Sequence, residues 1–215
     1  MEDFGRRRVT LKLTERMLGT APKDRDVYSR YIATRKAERF VDEKNKYEVG
    51  QDDITEEVET VPDTGPNGGT GFHRDDDGLF VFDYMVKGFL KSAFEVSMEF
   101  GAIQKVQAYK KWLDLLVFIW PRRIHLGCQE PDGVLERPLR TMTPKGPRVA
   151  LTRSGYVDAG RELVFDVEIL KNNKGITWDD VEQAFDYGRY VGLGQWRGSG
   201  GYGRFELVGV NDAMV

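Results

Sequence analysis

One cysteine and two histidines are all that the 215 residues hold for a disulfide or a soft-metal centre. Cys128 alone cannot close an internal disulfide, and no Cys/His set has metal-ligand spacing, so neither a cystine framework nor a zinc centre is expected. A lone thiol also fits a reducing compartment. Long apolar runs are missing too. The longest, LLVFIW at 115–120, falls far short of the roughly 20 residues that cross a bilayer. The opening MEDFGRRRVT lacks the apolar core of a secretory signal, so the expected setting is cytoplasmic, with no membrane partner. No GxxxxGK(S/T), HExxH or GxSxG pattern occurs. The expectation is therefore a protein without metal, cofactor or a recognisable catalytic set.

Excess charge of one sign is absent from the whole chain, which carries −3, but not from its parts. Residues 41–80 hold twelve acidic and three basic side chains, a balance of −9. The remainder is therefore basic, and a nucleic-acid partner stays open for it. Residues 19–78, Gly/Pro-rich and weakly patterned in QDDITEEVETVPDTGPNGGTGF, read as a partly mobile insertion into a single domain spanning 1–215. Within it HRDDDG resembles a calcium loop only superficially. Counted from Asp75, the position that should hold a closing glutamate is Val86, so a turn with solvated aspartates is expected.

The remaining elements follow from periodicity. Val9, Leu11 and Leu13 alternate with Thr10, Lys12 and Thr14, a half-buried strand entered through three arginines. A short strand is expected at 79–82. VKGFLKSAFEVSMEF places Val86, Phe89, Leu90, Ala93 and Phe94 on one helical face. A second helix is expected over QKVQAYKKWLDLL, with Val106, Tyr109, Trp112, Leu113 and Leu116 in the core, running into the strand VFIW. RVALTRS and RELVFDVEIL read as strands, the latter burying Leu163, Phe165, Val167 and Ile169. Thr177 and Asp180 open TWDDVEQAFDYG as a capping box, and GRFELVGV closes the chain as a strand. With the insertion set aside, the order is strand, helix, strand, strand, helix, strand. That order specifies an α+β fold, a ferredoxin-like or RRM-like antiparallel sheet with two main helices on one face.

Glycine is the one residue in local excess. GLGQWRGSGGYGRFEL, at 192–207, holds six glycines between Gly192 and Gly203, interleaved with Trp196, Arg197 and Tyr202 and followed by Arg204. Glycine costs more backbone entropy on folding than any other residue, so such density serves tight turns or close approach to the backbone. A dinucleotide loop must follow a strand and open a helix, and this stretch does the reverse. A shaped loop at the sheet is expected, with Gly194, Gly200 and Gly201 presenting backbone N–H groups to phosphates. Arg197 and Arg204 would neutralise charge, and Trp196 or Tyr202 would stack on a base. Lys87 and Lys91, one turn apart on the first long helix, and Arg137, Arg140 and Arg153 in the stretch ERPLRTMTPKGPRVALTRS would extend that surface.

The VKGFLKSA helix and the GLGQWRGSGGYGRFEL junction, ending in GYGRF, together resemble the RAMP superfamily of CRISPR ribonucleoproteins. The likeness is to the backbone subunits that polymerise along guide RNA, with Lys87, Gly88, Leu90 and Lys91 in the places of that family's first-helix pattern. The chain is also similar to a family of bacterial prophage proteins, through LTERMLGTAP, DYMVKGF, AYKKWLD, RPLR and GLGQWR. The resemblance implies a non-catalytic protein that binds single-stranded or guide RNA and assembles along it, as a homo-oligomer or a subunit of a CRISPR complex. Two other readings follow from it. One is an interaction protein that mimics or inhibits a host CRISPR subunit. The other is a metal-independent endoribonuclease, for which His125, beside Arg122 and Arg123, is the candidate catalytic base.

Overall fold

Val9, Leu11 and Leu13 point into the core with no more than 1% of their surface exposed, and the residues between them face outward. The alternation visible in the sequence is therefore the two faces of a central strand. A computed structural model describes residues 4–24, 57–61, 69–143 and 146–212, with backbone only at 139–143, 147, 148 and 150. In chain order the strands are β1 (Gly5–Leu13), β2 (Met17–Leu18), β3 (Ala21–Pro22), β4 (Thr70–Gly71), β5 (His73–Asp75), β6 (Gly78–Phe82), β7 (Val117–Trp120), β8 (Arg123–His125), β9 (Gly133–Thr143), β10 (Gly146–Val157), β11 (Glu162–Ile169) and β12 (Phe205–Asp212). The helices are α1 (Asp83–Glu99), α2 (Tyr109–Leu116) and α3 (Trp178–Asp186), with 3-10 turns at Tyr187–Arg189 and Gly198–Gly200. The fold is α+β.

The chain divides into two compact units. The first comprises Met1–Met17, Phe80–Cys128 and Val157–Val215, and the second Leu18–Leu79 and Gln129–Tyr156. Most of the acidic segment expected as an insertion lies outside the described residues.

In the first unit four antiparallel strands run in the order β12-β1-β11-β7. Numbered as the strands of a strand-helix-strand-strand-helix-strand unit, that order is 4-1-3-2, the ferredoxin-like arrangement. Phe89 from α1, Phe185 from α3 and Phe205 from β12 meet beneath the sheet. The Phe89 and Phe205 rings lie edge-to-face at 4.9 Å, and Phe165 of β11 lies 5.9 Å from Phe185. Edge-to-face pairs add about 0.5–1.5 kcal/mol beyond the area they bury. At the start of α3, Thr177 Oγ1 accepts from the Asp180 N–H and the Asp180 carboxylate accepts from the Thr177 N–H at 2.9 Å, completing the expected capping box. β6 pairs with β8, setting Phe80 opposite His125.

Asp166 breaks the alternation of β11. It belongs to the helix-free face, yet it is only 8% exposed. Arg6 holds one carboxylate oxygen through Nη2 at 2.8 Å, and Arg8 holds the other through Nε at 2.9 Å. Burial alone would push this carboxyl up, but the hydrogen bonds from Arg8 and Arg6 outweigh it and hold the pKa below the usual range. A carboxylate so lowered contributes stability that is present above its unfolded pKa of about 3.9 and is lost as pH falls through its folded value. Asp166→Asn is accordingly expected to cost on the order of 1 kcal/mol at pH 7, both arginines being half exposed, and to shrink the loss of stability between pH 5 and pH 2. Urea unfolding across that range checks it. An acid limb identical to the parent's would contradict it.

Two expectations are corrected here. The second helix starts at Tyr109, not near Gln104. Ala108 sits in the left-handed region at φ 55°, and Ile103 is buried in the turn that follows α1. Of the five residues expected in its core, only Leu113 is fully buried. The stretch 136–157, in which the single strand RVALTRS is expected among loops, is instead part of a long hairpin over 133–157. β9 and β10 pair from Gly133↔Tyr156 to Thr143↔Gly146. Among the described residues β9 pairs only with β10, so Pro138 stands in an edge strand, where a proline is tolerated.

The second unit builds on that hairpin. β4 adds to β10 in parallel and β3 to β4 antiparallel, with Thr70 Oγ1 donating to Ser154 Oγ at 2.9 Å. His73 is buried, its Nδ1 3.0 Å from Thr60 Oγ1. The aspartate-rich turn is an Asx turn in which the Asp77 N–H donates to Asp75 Oδ1 at 3.1 Å.

Candidate nucleic-acid interface

The glycine-rich stretch is held shut at its base by contacts only glycine permits. A Cβ on Gly192 would lie 2.0 Å from the carbonyl carbon of Gly203, and one on Gly203 would lie 1.8 Å from the Leu193 oxygen. The two backbones cross in contact. Leu193 N–H donates to the Gly203 carbonyl at 2.9 Å, and Gly203 N–H donates to the Arg16 carbonyl at 2.6 Å. The Arg204 carbonyl then accepts from Thr14 and Glu15, at 2.8 and 3.2 Å. Gly188 belongs to the same device, since a Cβ there would meet the Phe205 ring at 2.2 Å. These glycines serve the fold itself.

The glycines farther out differ. Gly194, Gly198 and Gly201 have φ between 75° and 84°, and no protein atom lies within 4 Å of a Cβ placed on Gly198. Their freedom shapes the backbone of an open loop. A Cβ on Gly200 would lie 3.1 Å from the Trp196 Cβ and 3.4 Å from the Tyr202 ring. The two aromatics therefore flank one glycine, each half exposed. Trp196 itself is left-handed at φ 59°, a conformation costing a non-glycine residue about 1–2 kcal/mol. Strain of that kind persists where the surrounding structure over-determines it, often at ligand clamps.

Arg197 is exposed at the entry to the 3-10 turn Gly198–Gly200. Arg204 immediately precedes β12, its guanidinium 3.7–4.0 Å from where a Gly201 Cβ would stand. Its Nε is buried without a hydrogen-bond acceptor. A buried donor left unmade costs about 1–3 kcal/mol, while the residue as a whole is half-buried and so in part open to an anion. Trp196, Arg197, Gly200, Gly201, Tyr202 and Arg204 are thus gathered in one loop, with Gly194 on its first bend.

The other expected contacts stand elsewhere. Lys91 Nζ forms an ion pair with Asp114 at 2.6 Å, and Lys87 Nζ donates to the Asp114 carbonyl at 3.2 Å beside the Phe118 ring. Burial lowers the Lys87 pKa, with Asp114 opposing the shift and Lys91 adding to it. The α1 lysines are thereby turned toward α2. Arg137, Arg140 and Arg153 belong to the second unit. Arg153 pairs with Glu136 across the hairpin at 2.7 Å, the Arg137 carbonyl accepts from Thr152 Oγ1 at 3.2 Å, and the Arg140 side chain lies outside the described ones. His125 stands half-buried with its ring 5.7 Å from Phe80, and Arg123 lies over the same ring at 5.3 Å.

Sequence reasoning missed the base of the loop. Gly192, Gly203 and the Arg16 carbonyl are brought together only by the tertiary fold, and no local pattern marks them.

No family model matches the chain, and no curated protein matches it. Among solved structures it is similar to a chain of the cryo-EM structure of the Type III-B Cmr-beta bound to cognate target RNA. The similarity has a TM-score of 0.48 and 10% identity, over 97% of this chain and 60% of that one. The chain thus spans about three fifths of the length of the chain it resembles. Among the described residues, no helix is long and apolar enough to cross a membrane.

Proposed function

We propose that this chain is a RAMP-like, non-catalytic RNA-binding protein whose glycine-rich loop, 192–204, grips single-stranded RNA. The observation that supports it best is the half-buried Arg204, its Nε without an acceptor and its guanidinium beside Gly201, in the same loop as exposed Arg197. A phosphate oxygen satisfies the guanidinium. Trp196 and Tyr202, on either side of Gly200, supply aromatic surface for bases, which stack with little regard to sequence. The loop then contributes both components of single-strand binding, charge and stacking. Assembly of several copies along one RNA, and membership of a CRISPR ribonucleoprotein in a bacterial host, extend the same reading to the resemblance in the VKGFLKSA helix. Lys87 and Lys91 would act there by holding α1 to α2, not by meeting phosphate.

Trp196→Ala is the first test. Loss of one stacked base is worth about 1–3 kcal/mol, so affinity for a labelled single-stranded RNA should fall roughly 5- to 150-fold, with the salt dependence unchanged because no charge is removed. Protein purified from cells should also show a raised ratio of absorbance at 260 to 280 nm. Unaltered RNA affinity in this variant would remove the stacking role. No RNA binding by the intact protein would remove the whole reading and favour the protein-mimic alternative.

A further inference from the structure

Trp112 is half exposed, although its helical spacing assigns it to the core, and two lysines share its ring. Nζ of Lys111 lies 5.2 Å from the indole centroid, and Nζ of Lys174, from the turn before α3, lies 4.8 Å from it. The neighbouring carboxylates are already engaged. Glu95 pairs with Lys110 at 3.3 Å and Asp114 pairs with Lys91 at 2.6 Å. Among the described residues, Lys111 and Lys174 have no carboxylate partner. The turn that carries Lys174 packs on the segment before α2, since a Cβ on Gly175 would lie 3.9 Å from Val106 Cγ2. Exposed Lys105 adjoins Val106, and exposed Lys171 begins the same turn.

An exposed ammonium gains little from an aromatic face. Two ammonium groups gathered around one ring make a local cationic patch. An anion at this patch is attracted by both. The part-exposed indole narrows the choice of anion. A nucleotide satisfies the cations with its phosphate and the ring with its base, whereas an acidic peptide satisfies the cations alone.

We propose that Lys111, Trp112 and Lys174, flanked by Lys105 and Lys171, form a second contact for single-stranded RNA in the first unit, separate in sequence from the glycine loop. This rests on the RNA-binding reading and locates where a further stretch of the same strand is held. Each lysine that neutralises a phosphate contributes about 0.7 to the slope of log affinity against log salt on a single strand.

The experiment is fluorescence anisotropy of a labelled single-stranded RNA across a salt series, with the intact protein, K111A/K174A, W112F and R197E/R204E. Removing both lysines should reduce the salt slope by about 1.4 and the affinity roughly tenfold at moderate salt. The intrinsic fluorescence change on RNA addition should also be smaller in W112F than in the parent. Should the alanine pair lower the melting temperature, K111Q/K174Q, which keeps the stems over the ring, is read in its place with the same expected slope. An unchanged slope and affinity in the lysine variant, with binding lost in R197E/R204E, overturns this site and leaves the loop reading intact. The reverse pattern upholds this site and overturns the loop reading. No RNA binding by the intact protein overturns both.

Discussion

Gly203→Ala is expected to destabilise the first unit by on the order of 3 kcal/mol or more, and Gly192→Ala by a similar amount. An added methyl at Gly203 would stand 1.8 Å from the Leu193 oxygen and one at Gly192 would stand 2.0 Å from the Gly203 carbonyl carbon. In both cases the obstacle is backbone, which cannot rotate aside as a side chain can. Relief requires the two strands of the loop to part. That would break the Leu193-to-Gly203 hydrogen bond and loosen Gly203 from Arg16. Overpacking costs typically 1–3 kcal/mol even in cores that relax, and the φ of 67° at Gly203 adds its own penalty for any side chain. Gly198→Ala is the control. It has a similar φ of 75° but open space around it, so only the conformational term of about 1 kcal/mol should appear. Urea unfolding followed by tryptophan fluorescence separates them. Equal losses at Gly203 and Gly198 would show that the backbones do not cross as described.

The second large effect is on binding. Arg197→Glu with Arg204→Glu should lower affinity for single-stranded RNA by about 100-fold or more at moderate salt. Hydrogen bonds to charged groups are worth about 1.5–3 kcal/mol each. Arg197 is exposed and screened, so its share belongs at or below the low end; Arg204, half enclosed by the loop, belongs near the top. Reversal adds repulsion to the loss. Two fewer phosphates neutralised should also flatten the salt slope by at least about 1.4. The affinity loss and the flattened slope must appear together. A fall in affinity with an unchanged slope would mean that the loop had lost its shape and not its charge, an outcome the melting temperature would reveal.

Much of the first unit can be read directly from the chain. Where a strand has one buried face, alternation determines which residues enter the core, and β1 and β11 obey it at Val9, Leu11, Leu13, Leu163, Phe165, Val167 and Ile169. The start of α3 is legible because a capping box is a local device, needing only Thr177 and Asp180 three residues apart. What failed depended on contacts across the chain. Asp166 is buried because Arg6 and Arg8, on a different strand, enclose it. The late start of α2 follows from a left-handed Ala108, a conformation alanine's propensity argues against. The hairpin 133–157 was obscured by its prolines, which read as loop residues until one strand is known to be an outer edge. In the candidate site, the sequence singled out the right loop but not the division of labour within it. Gly192 and Gly203 exist for a backbone crossing, whereas Gly194, Gly198 and Gly201 shape an open turn. Trp112 was assigned to the core by its spacing, and nothing in the spacing discloses that Lys174 comes to cover it.

The claim that the glycine loop is an RNA-binding surface is tested most directly by equilibrium titration of a labelled single-stranded RNA with the intact protein and with R197E/R204E, at several salt concentrations. The account predicts tight binding that weakens steeply with salt in the intact protein, and a loss of at least about 100-fold with a shallower slope in the variant. Equal affinity and equal slope in the two proteins, both folded, would contradict it.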